Sequence, residues 1–558
     1  MKSNEVILLS DIPNQSSETY AARYAGPYVI KSNLIDHGIN AIVLDWFRFI
    51  KDNEKFFAYF EQLVDENTKV VGISNTFLYP PREKDVKSTD SSGLTGSDIE
   101  KLDEDSAAKY SLYLWDDNNI TLTDWFKRLR AVLDKYNKNA KIVLGGARST
   151  RFLQMASLAP ADYCVKKYVD YIIIGMADYA IKQLIDKINA GEEIKDIFRH
   201  KAGLNFILCD REPWKTPTTY VPITRYNKSD CFEKSHWAGL EVGRGCAFNC
   251  KYCYYEKRFA EKKPMDVLKE ELKRNYYELG ISGYNITADC FNDNRKFVGA
   301  WADMVGSLDF KIEWASYVRV DPFHKWPEMM DEMIGSGYKA GWFGVETLCH
   351  AAGKAAGKGL NPDRVKELLA LLKQKGDVWT TCYFILGLPK ETKESLNDTL
   401  QWLLKQSIID EVQTSILDIG PFIEELSGII DFSDHSKNPD KYGFTKLEFT
   451  PEFYWEHEDL NLHDCVEINE VWKKAFVDHH YTRFGGSAHG EYVRIRDTGL
   501  SHKQTVVYMK TKFTVGKNLV NIDNKKKKQF KNYVMELSKN NIQRYYDNFL
   551  RVNGVRYA

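Results

Sequence analysis

Short apolar runs alternate with amphipathic stretches through the first 200 residues. The runs at 6–10, 41–45, 70–74, 142–146 and 171–175 are apolar nearly throughout and too short for helices, as strands buried on both faces are. Apolar positions recur at helical spacing over 28–36, 56–64, 122–136 and 179–188. Strand and helix in alternation predict a parallel α/β sheet, here a doubly wound, Rossmann-like unit of five strands over residues 1–200. Residues 79–118, rich in Lys, Asp, Ser and Gly, read as an insertion into it. Residues 201–238 carry three prolines and little periodicity, and read as a linker. A second series then begins, with strands expected at 239–244, 283–288, 311–316, 340–345, 378–385 and 411–417. Its helices are expected at 263–279, 294–308, 326–334, 362–375 and 393–406. Residues 426–558 are irregular and aromatic, with helices expected near 465–479 and 529–550.

Composition narrows the setting more than the fold. A formal net charge of -1 leaves no global basic footprint for nucleic acid, so such a partner is not expected. No long uncharged apolar stretch offers a membrane span, and Met1-Lys-Ser-Asn-Glu shows no cleavable-signal pattern. The ten cysteines are scattered apart from one central trio, which excludes a secreted disulfide framework and favours a reducing cytoplasm. Lys525–Lys528 is a run of four lysines, read as a solvated helix start or turn ahead of a polyanion contact. The adjacent His479 and His480 read as surface or packing residues.

The trio is the chemical centre. Cys246, Cys250 and Cys253 stand in Gly-Arg-Gly-Cys-Ala-Phe-Asn-Cys-Lys-Tyr-Cys, a C-x3-C-x2-C spacing. Three thiolates on one loop hold three irons of a cubane 4Fe–4S cluster and leave the fourth open to a chelating small molecule. Structural zinc wants four ligands, and His236, the nearest candidate, fits no finger spacing. A redox C-x-x-C pair leaves the third cysteine unexplained.

With Tyr252 before the last cysteine, the motif resembles the radical S-adenosylmethionine (radical SAM) superfamily. The resemblance implies a partial (β/α)6 barrel over 239–425, with its chemistry at the strand C-terminal ends. It further implies that the open iron chelates S-adenosylmethionine and that the reduced cluster cleaves it to a 5′-deoxyadenosyl radical. Residues in order behind the cysteines are similar to the family's cofactor contacts. Asp289, in Thr-Ala-Asp-Cys-Phe-Asn-Asp, is placed for the methionine ammonium. Arg319 is placed for its carboxylate, Glu346 for the ribose or amino group, and Gly387 and Pro389 for the adenine. The Gly-Lys repeats around Lys354 and Lys358 resemble a Lys-Gly element of the family and lack the phosphate-loop form.

The first unit is similar to the cobalamin-binding domain that precedes many radical SAM barrels. Ser74, Asn75, Gly145, Gly146 and Gly175 end its strands, where ligands of such sheets sit. It departs from the histidine-ligated version: Asp11 is followed by Ile-Pro-Asn-Gln-Ser, with no His. The expectation is a cobalamin-dependent C-methyltransferase. Its alternatives are a cobalamin-free rearrangement, cyclisation or oxidation, and a non-catalytic metal- or nucleic-acid-binding protein. The substrate, a small molecule or peptide, is not named by the sequence, and an electron donor such as flavodoxin or ferredoxin is implied.

Overall fold

The computed structural model describes residues 3–10, 23–45, 53–74, 122–146, 149–154, 156, 164–217, 220–253, 261–449, 454–477, 482–484, 491–512 and 524–556. Two seven-stranded sheets organise them. The first holds β1 (Val6–Leu9), β2 (Ala41–Leu44), β3 (Val70–Ser74), β4 (Lys141–Gly145), β5 (Tyr171–Ile174), β6 (Phe198–Arg199) and β7 (Asn205–Leu208), in the order β2-β1-β3-β4-β5-β7-β6. All pair in parallel except β6. The order reverses between β1 and β3, which opens a crevice beyond their C-terminal ends. The apolar runs form these strands because helices cover both faces. The Leu122–Tyr136 helix, for example, buries Trp125, Phe126, Leu129 and Leu133, one stripe at helical spacing.

Two expectations differ here. The five-strand unit has seven strands, because the stretch read as linker supplies β7, whose Phe206 and Ile207 are buried beside β5, and the two-residue β6 just before that stretch pairs antiparallel with β7. Four residues that open on Asn205, in a stretch whose prolines (Pro213, Pro217 and Pro222) break any longer period, carry too little pattern to separate a strand from a loop. The helix expected from residue 28 begins at Ala25, since Pro27 is tolerated in a first turn. The insertion at 79–118, the Asp11 segment and His479–His480 lie outside the described residues.

The second sheet is built from β8 (Trp237–Glu241), followed by the small hairpin β9 (Gly243–Arg244) and β10 (Glu261–Lys262), and from β11 (Gly283–Thr287), β12 (Glu313–Val318), β13 (Tyr338–Glu346), β14 (Trp379–Leu386) and β15 (Glu411–Ile416). A C-terminal hairpin, β16 (Phe444–Glu448) and β17 (Tyr454–His457), precedes the short β18 (Arg483–Phe484). The order β18-β15-β14-β13-β12-β11-β8 is parallel throughout, an open curl of six βα units with one added edge strand. The strand expected over 239–244 breaks at Val242, where the chain leaves the sheet for the cysteine loop.

The sheets share one core. Val6 and Tyr28 of the first unit and Ala238 and Leu240 of β8 belong to a single buried cluster. A Cβ on Gly239 would lie 2.4 Å from the backbone nitrogen of Ala25, so the start of the Ala25–Asp36 helix rests directly on β8. The lysine run opens the Asn524–Val552 helix and is mostly exposed, as a solvated helix start is.

Candidate active site

The cysteine loop leaves the C-terminal end of β8 and is held from four sides. Lys251, between Cys250 and Cys253, donates its backbone N–H to Ala356 O at 3.0 Å and accepts at its carbonyl from His435 N at 3.1 Å. Its ammonium lies 3.5 Å from Asp434. Gly357, at φ 79°, keeps the loop close: a Cβ there would come within 3.2 Å of Asn249 O. Below the loop, Ala247 N donates to Asp293 at 3.1 Å, and Asp289, at the barrel mouth, accepts from the Gly245 N–H.

None of the three thiols is disulfide-bonded, and all three are half-buried. Hydrogen bonding with Cys290 pulls the Cys246 thiol down to about 7, toward the thiolate that iron binds. Arg319 Nη1 reaches Cys250 Sγ at 2.8 Å, its guanidinium lies 4.0 Å over the Phe248 ring, and Nε pairs with Asp321 at 3.0 Å. The Asn292 side chain clamps the Arg319 backbone at both N (2.9 Å) and O (2.8 Å). Among the described residues no three His, Cys, Asp or Glu side chains converge as a single ion requires. A cubane asks for something else, since each cysteine binds its own iron, and a half-exposed, rigidly backed thiol loop suits it.

Glu346 stands at φ 69° beyond a bulge in β13, an uncommon conformation for a carboxylate residue. Lys358 Nζ holds it at 3.3 Å and donates to Gly344 O. Tyr252 hydrogen-bonds to the same carboxylate, and burial first, then that charge, lifts its phenol well above the ordinary range. Tyr252, Arg319, Glu346 and Cys250 are thus one connected patch. Gly387 and Pro389 lie in a buried turn after β14, with Gly387 at φ 92°. The close approach that Gly387 permits is to protein: its Cβ position lies 2.3 Å from Trp455 and 2.9 Å from Cys465 Sγ.

Glu391 organises that turn. Its carboxylate accepts from Gly387 N at 2.9 Å, Leu388 N at 3.1 Å and Thr347 Oγ1 at 2.5 Å. Burial outweighs these bonds and pushes its pKa up to about 7. A folded-state pKa raised above the unfolded value gives stability that is complete below about 4.5 and is lost as pH rises through about 7. At about 1.4 kcal/mol per pKa unit, the loss is on the order of 3 kcal/mol. Chemical denaturation at pH 5 and pH 8 checks it: Glu391→Gln, which keeps an acceptor and cannot ionise, is expected to flatten the pH dependence. An unchanged slope would assign it to other groups.

At the first sheet, Ser74 and Gly145 are register partners at adjacent strand ends, and a Cβ on Gly145 would meet nothing within 4 Å. Gly146 has φ 127°; at Gly175, φ 92°, an added Cβ would lie 3.1 Å from Cys209 Cβ. Asn75 lies outside the described residues. Asp178, just past β5, forms an ion pair of 2.5 Å with Arg244, which stands two residues before Cys246 and also bonds Glu241. The strand-end edges of the two sheets therefore meet at the cysteine loop.

Residues 240–403 match the model of the Radical SAM superfamily. The chain carries a radical SAM domain. Among curated proteins it resembles an uncharacterised methyltransferase of Pyrococcus horikoshii, 25% identical over 286 residues; the match takes in 49% of this chain and 59% of that protein's length. Among solved structures its fold resembles the radical S-adenosylmethionine methyltransferase TsrM from Kitasatospora setae with cobalamin and a 4Fe–4S cluster bound. The TM-score is 0.57 at 14% identity, covering 91% of this chain and 99% of that one. It also resembles the cobalamin-dependent radical enzyme OxsB with aqua-cobalamin bound, at TM-score 0.51 and 11% identity, covering 98% and 79%. Four partners of the radical SAM domain were not found by sequence reasoning: Asn292, Asp434, Trp455 and the Asp178–Arg244 pair. Each acts across a long sequence separation, and only Asp178 carried a local signal, a strand end opening a helix.

Proposed function

We propose that this chain is a cobalamin-dependent radical SAM enzyme that methylates an unactivated carbon. The Asp178–Arg244 ion pair carries the reading, because it fastens the end of β5 to the root of the cysteine loop and so sets two cofactor edges side by side. The methyltransferase names of the relatives and the cobalamin in the similar folds support it. When bound, the cluster supplies the electron that makes the 5′-deoxyadenosyl radical from S-adenosylmethionine, and the corrinoid supplies the methyl group.

The chain's own residues hold and orient. Cys246, Cys250 and Cys253 would ligate three irons. Arg319, donating to Cys250 Sγ, places positive charge beside an anionic cluster. Tyr252 and Glu346 form the polar face for S-adenosylmethionine, with Asp289 at the mouth for its ammonium. Ser74, Gly145 and Gly146 would receive the corrinoid, where Gly145 leaves open space. The lumen beneath takes a small-molecule substrate. An electron donor such as flavodoxin or ferredoxin completes the reaction, in a reducing cytoplasm; among the described residues no helix is long and apolar enough to cross a membrane.

Anaerobic reconstitution with iron, sulfide and hydroxocobalamin tests this. About four irons and one corrinoid per chain are expected. Iron without corrinoid would replace methylation by a rearrangement, cyclisation or oxidation. Zinc in place of iron would sink the reading.

A further inference from the structure

Behind the cysteine loop stands a fourth cysteine that the C-x3-C-x2-C motif does not contain. Cys290 follows the C-terminal end of β11, in the Thr-Ala-Asp-Cys-Phe-Asn-Asp segment, and is only 2% exposed. Its thiol hydrogen-bonds with Cys246, the first cysteine of the trio.

The turn that carries Cys290 is anchored. Phe291 is fully buried, with its ring 4.5 Å from Trp314, 5.7 Å from Phe297 and 5.8 Å from Trp301. Lys262 Nζ donates to Cys290 O at 3.1 Å and pairs with Asp293 at 2.7 Å. Asp293 in turn accepts from the backbone of Ala247, the residue after Cys246, at 3.1 Å. Turn and loop are therefore fastened together beside the sulfur pair, which holds the two thiols in register.

One proton decides what the pair does. A ligating Cys246 has given up its proton, so Cys290 is the only donor of the two. Cys290 Sγ also lies 3.4 Å from Asn292 Oδ1, but that oxygen already accepts from Arg319 N at 2.9 Å. An anionic sulfur is the stronger acceptor, so the Cys290 hydrogen goes to Cys246. At the next ligand, Arg319 Nη1 donates to Cys250 Sγ at 2.8 Å. Two of the three sulfurs thus receive a donor from the protein wall, and Asn292 touches both donors.

We propose that Cys290 is a positioning residue for the cluster: its thiol donates to the Cys246 sulfur and raises the cluster's reduction potential. The proposal rests on the radical SAM reading of the trio. A reduced cluster carries one more negative charge than an oxidised one, so a donor aimed at a ligand sulfur stabilises the reduced form more. Burial strengthens the effect, because little water competes for the bond. With Arg319 acting on Cys250 in the same sense, the cluster takes its electron from a weaker reductant than bare thiolates would require.

Redox titration of the anaerobically reconstituted chain, read by electron paramagnetic resonance, tests this. Cys290→Ala is expected to bind about four irons, as the parent does, and to shift the one-electron equilibrium about threefold to tenfold toward the oxidised cluster. At about 59 mV per tenfold, the midpoint falls by about 30–60 mV. Cys290→Ser, which keeps a buried donor, is expected to hold the parental midpoint. Melting curves accompany both, and Cys290→Val, which fills the space and cannot donate, carries the test if the alanine variant does not fold. A midpoint unchanged in the non-donating variant, or lowered equally by Cys290→Ser, would overturn the proposal. So would a Cys246→Ala protein that keeps its iron until Cys290→Ala is added, since Cys290 would then be a ligand itself. Iron content separates the two levels: a parent chain without iron sinks the radical SAM reading and this proposal together, whereas a loaded parent whose midpoint ignores Cys290 sinks this proposal alone.

Discussion

Cys250→Ala is expected to leave a folded protein that binds little iron and forms no measurable 5′-deoxyadenosine with dithionite, a fall of at least about 100-fold. The fold survives because Cys250 is half-buried on a loop and its sulfur packs in no apolar core; such a truncation costs about 1 kcal/mol or less. The chemistry does not survive, because two thiolates cannot hold a cubane against hydrolysis while a third iron lacks its ligand. The substitution also strands Arg319: Nη1 loses its acceptor 2.8 Å away, while the Asp321 pair and the Phe248 contact keep the side chain in place. Iron analysis, electron paramagnetic resonance and the deoxyadenosine assay, each read beside a melting curve, check the prediction. Full iron content and turnover in a folded Cys250→Ala protein would remove the cysteine trio from the mechanism.

The trio was legible because its ligands lie within eight residues and the spacing itself states the chemistry. The strands were legible for a related reason: a parallel strand buried on both faces is written as an uninterrupted apolar run, as Val70–Ser74 is, and the register follows from it. What escaped depends on pairs distant in sequence. Asp178 and Arg244 are ordinary charges until the two sheets meet. Asn292 stands three residues after Asp289, the acid singled out in its segment, yet it is the amide, able to donate and accept at once, that clamps the Arg319 backbone. The strand β7 escaped because four residues, the first of them Asn205, do not establish a period. Gly387 shows a subtler limit. A glycine in a turn announces that something comes close, and says nothing of whether that is a cofactor or the protein itself.

For Gly387 the two possibilities predict opposite results. Gly387→Ala is expected to destabilise the protein by about 2–4 kcal/mol, the sum of a side chain forced to positive φ and overpacking against a rigid neighbour. The new methyl would lie 2.3 Å from Trp455 Cη2 and 2.8 Å from Cζ2. Trp455 has no room to give: it is fully buried, its Nε1 donates to Leu417 O at 2.9 Å, and it stacks on His457 at 5.5 Å. Relief must come from lifting the β16–β17 hairpin, of which Trp455 is the buried anchor. Trp455→Phe, made together with Gly387→Ala, is then expected to recover part of the loss, and a double-mutant cycle on melting free energies to return a coupling of about 1–2 kcal/mol. If the glycine instead admits a ligand, Gly387→Ala would melt like the parent chain and weaken S-adenosylmethionine binding, with no rescue by Trp455→Phe. Since the turn is also held by Glu391, whose carboxylate takes the Gly387 and Leu388 N–H groups, hairpin and turn must stay joined for the loop after β14 to keep its shape. The covering C-terminal segment is on this argument a structural wall of the radical SAM domain, and its removal would disorder the turn before any cofactor arrived.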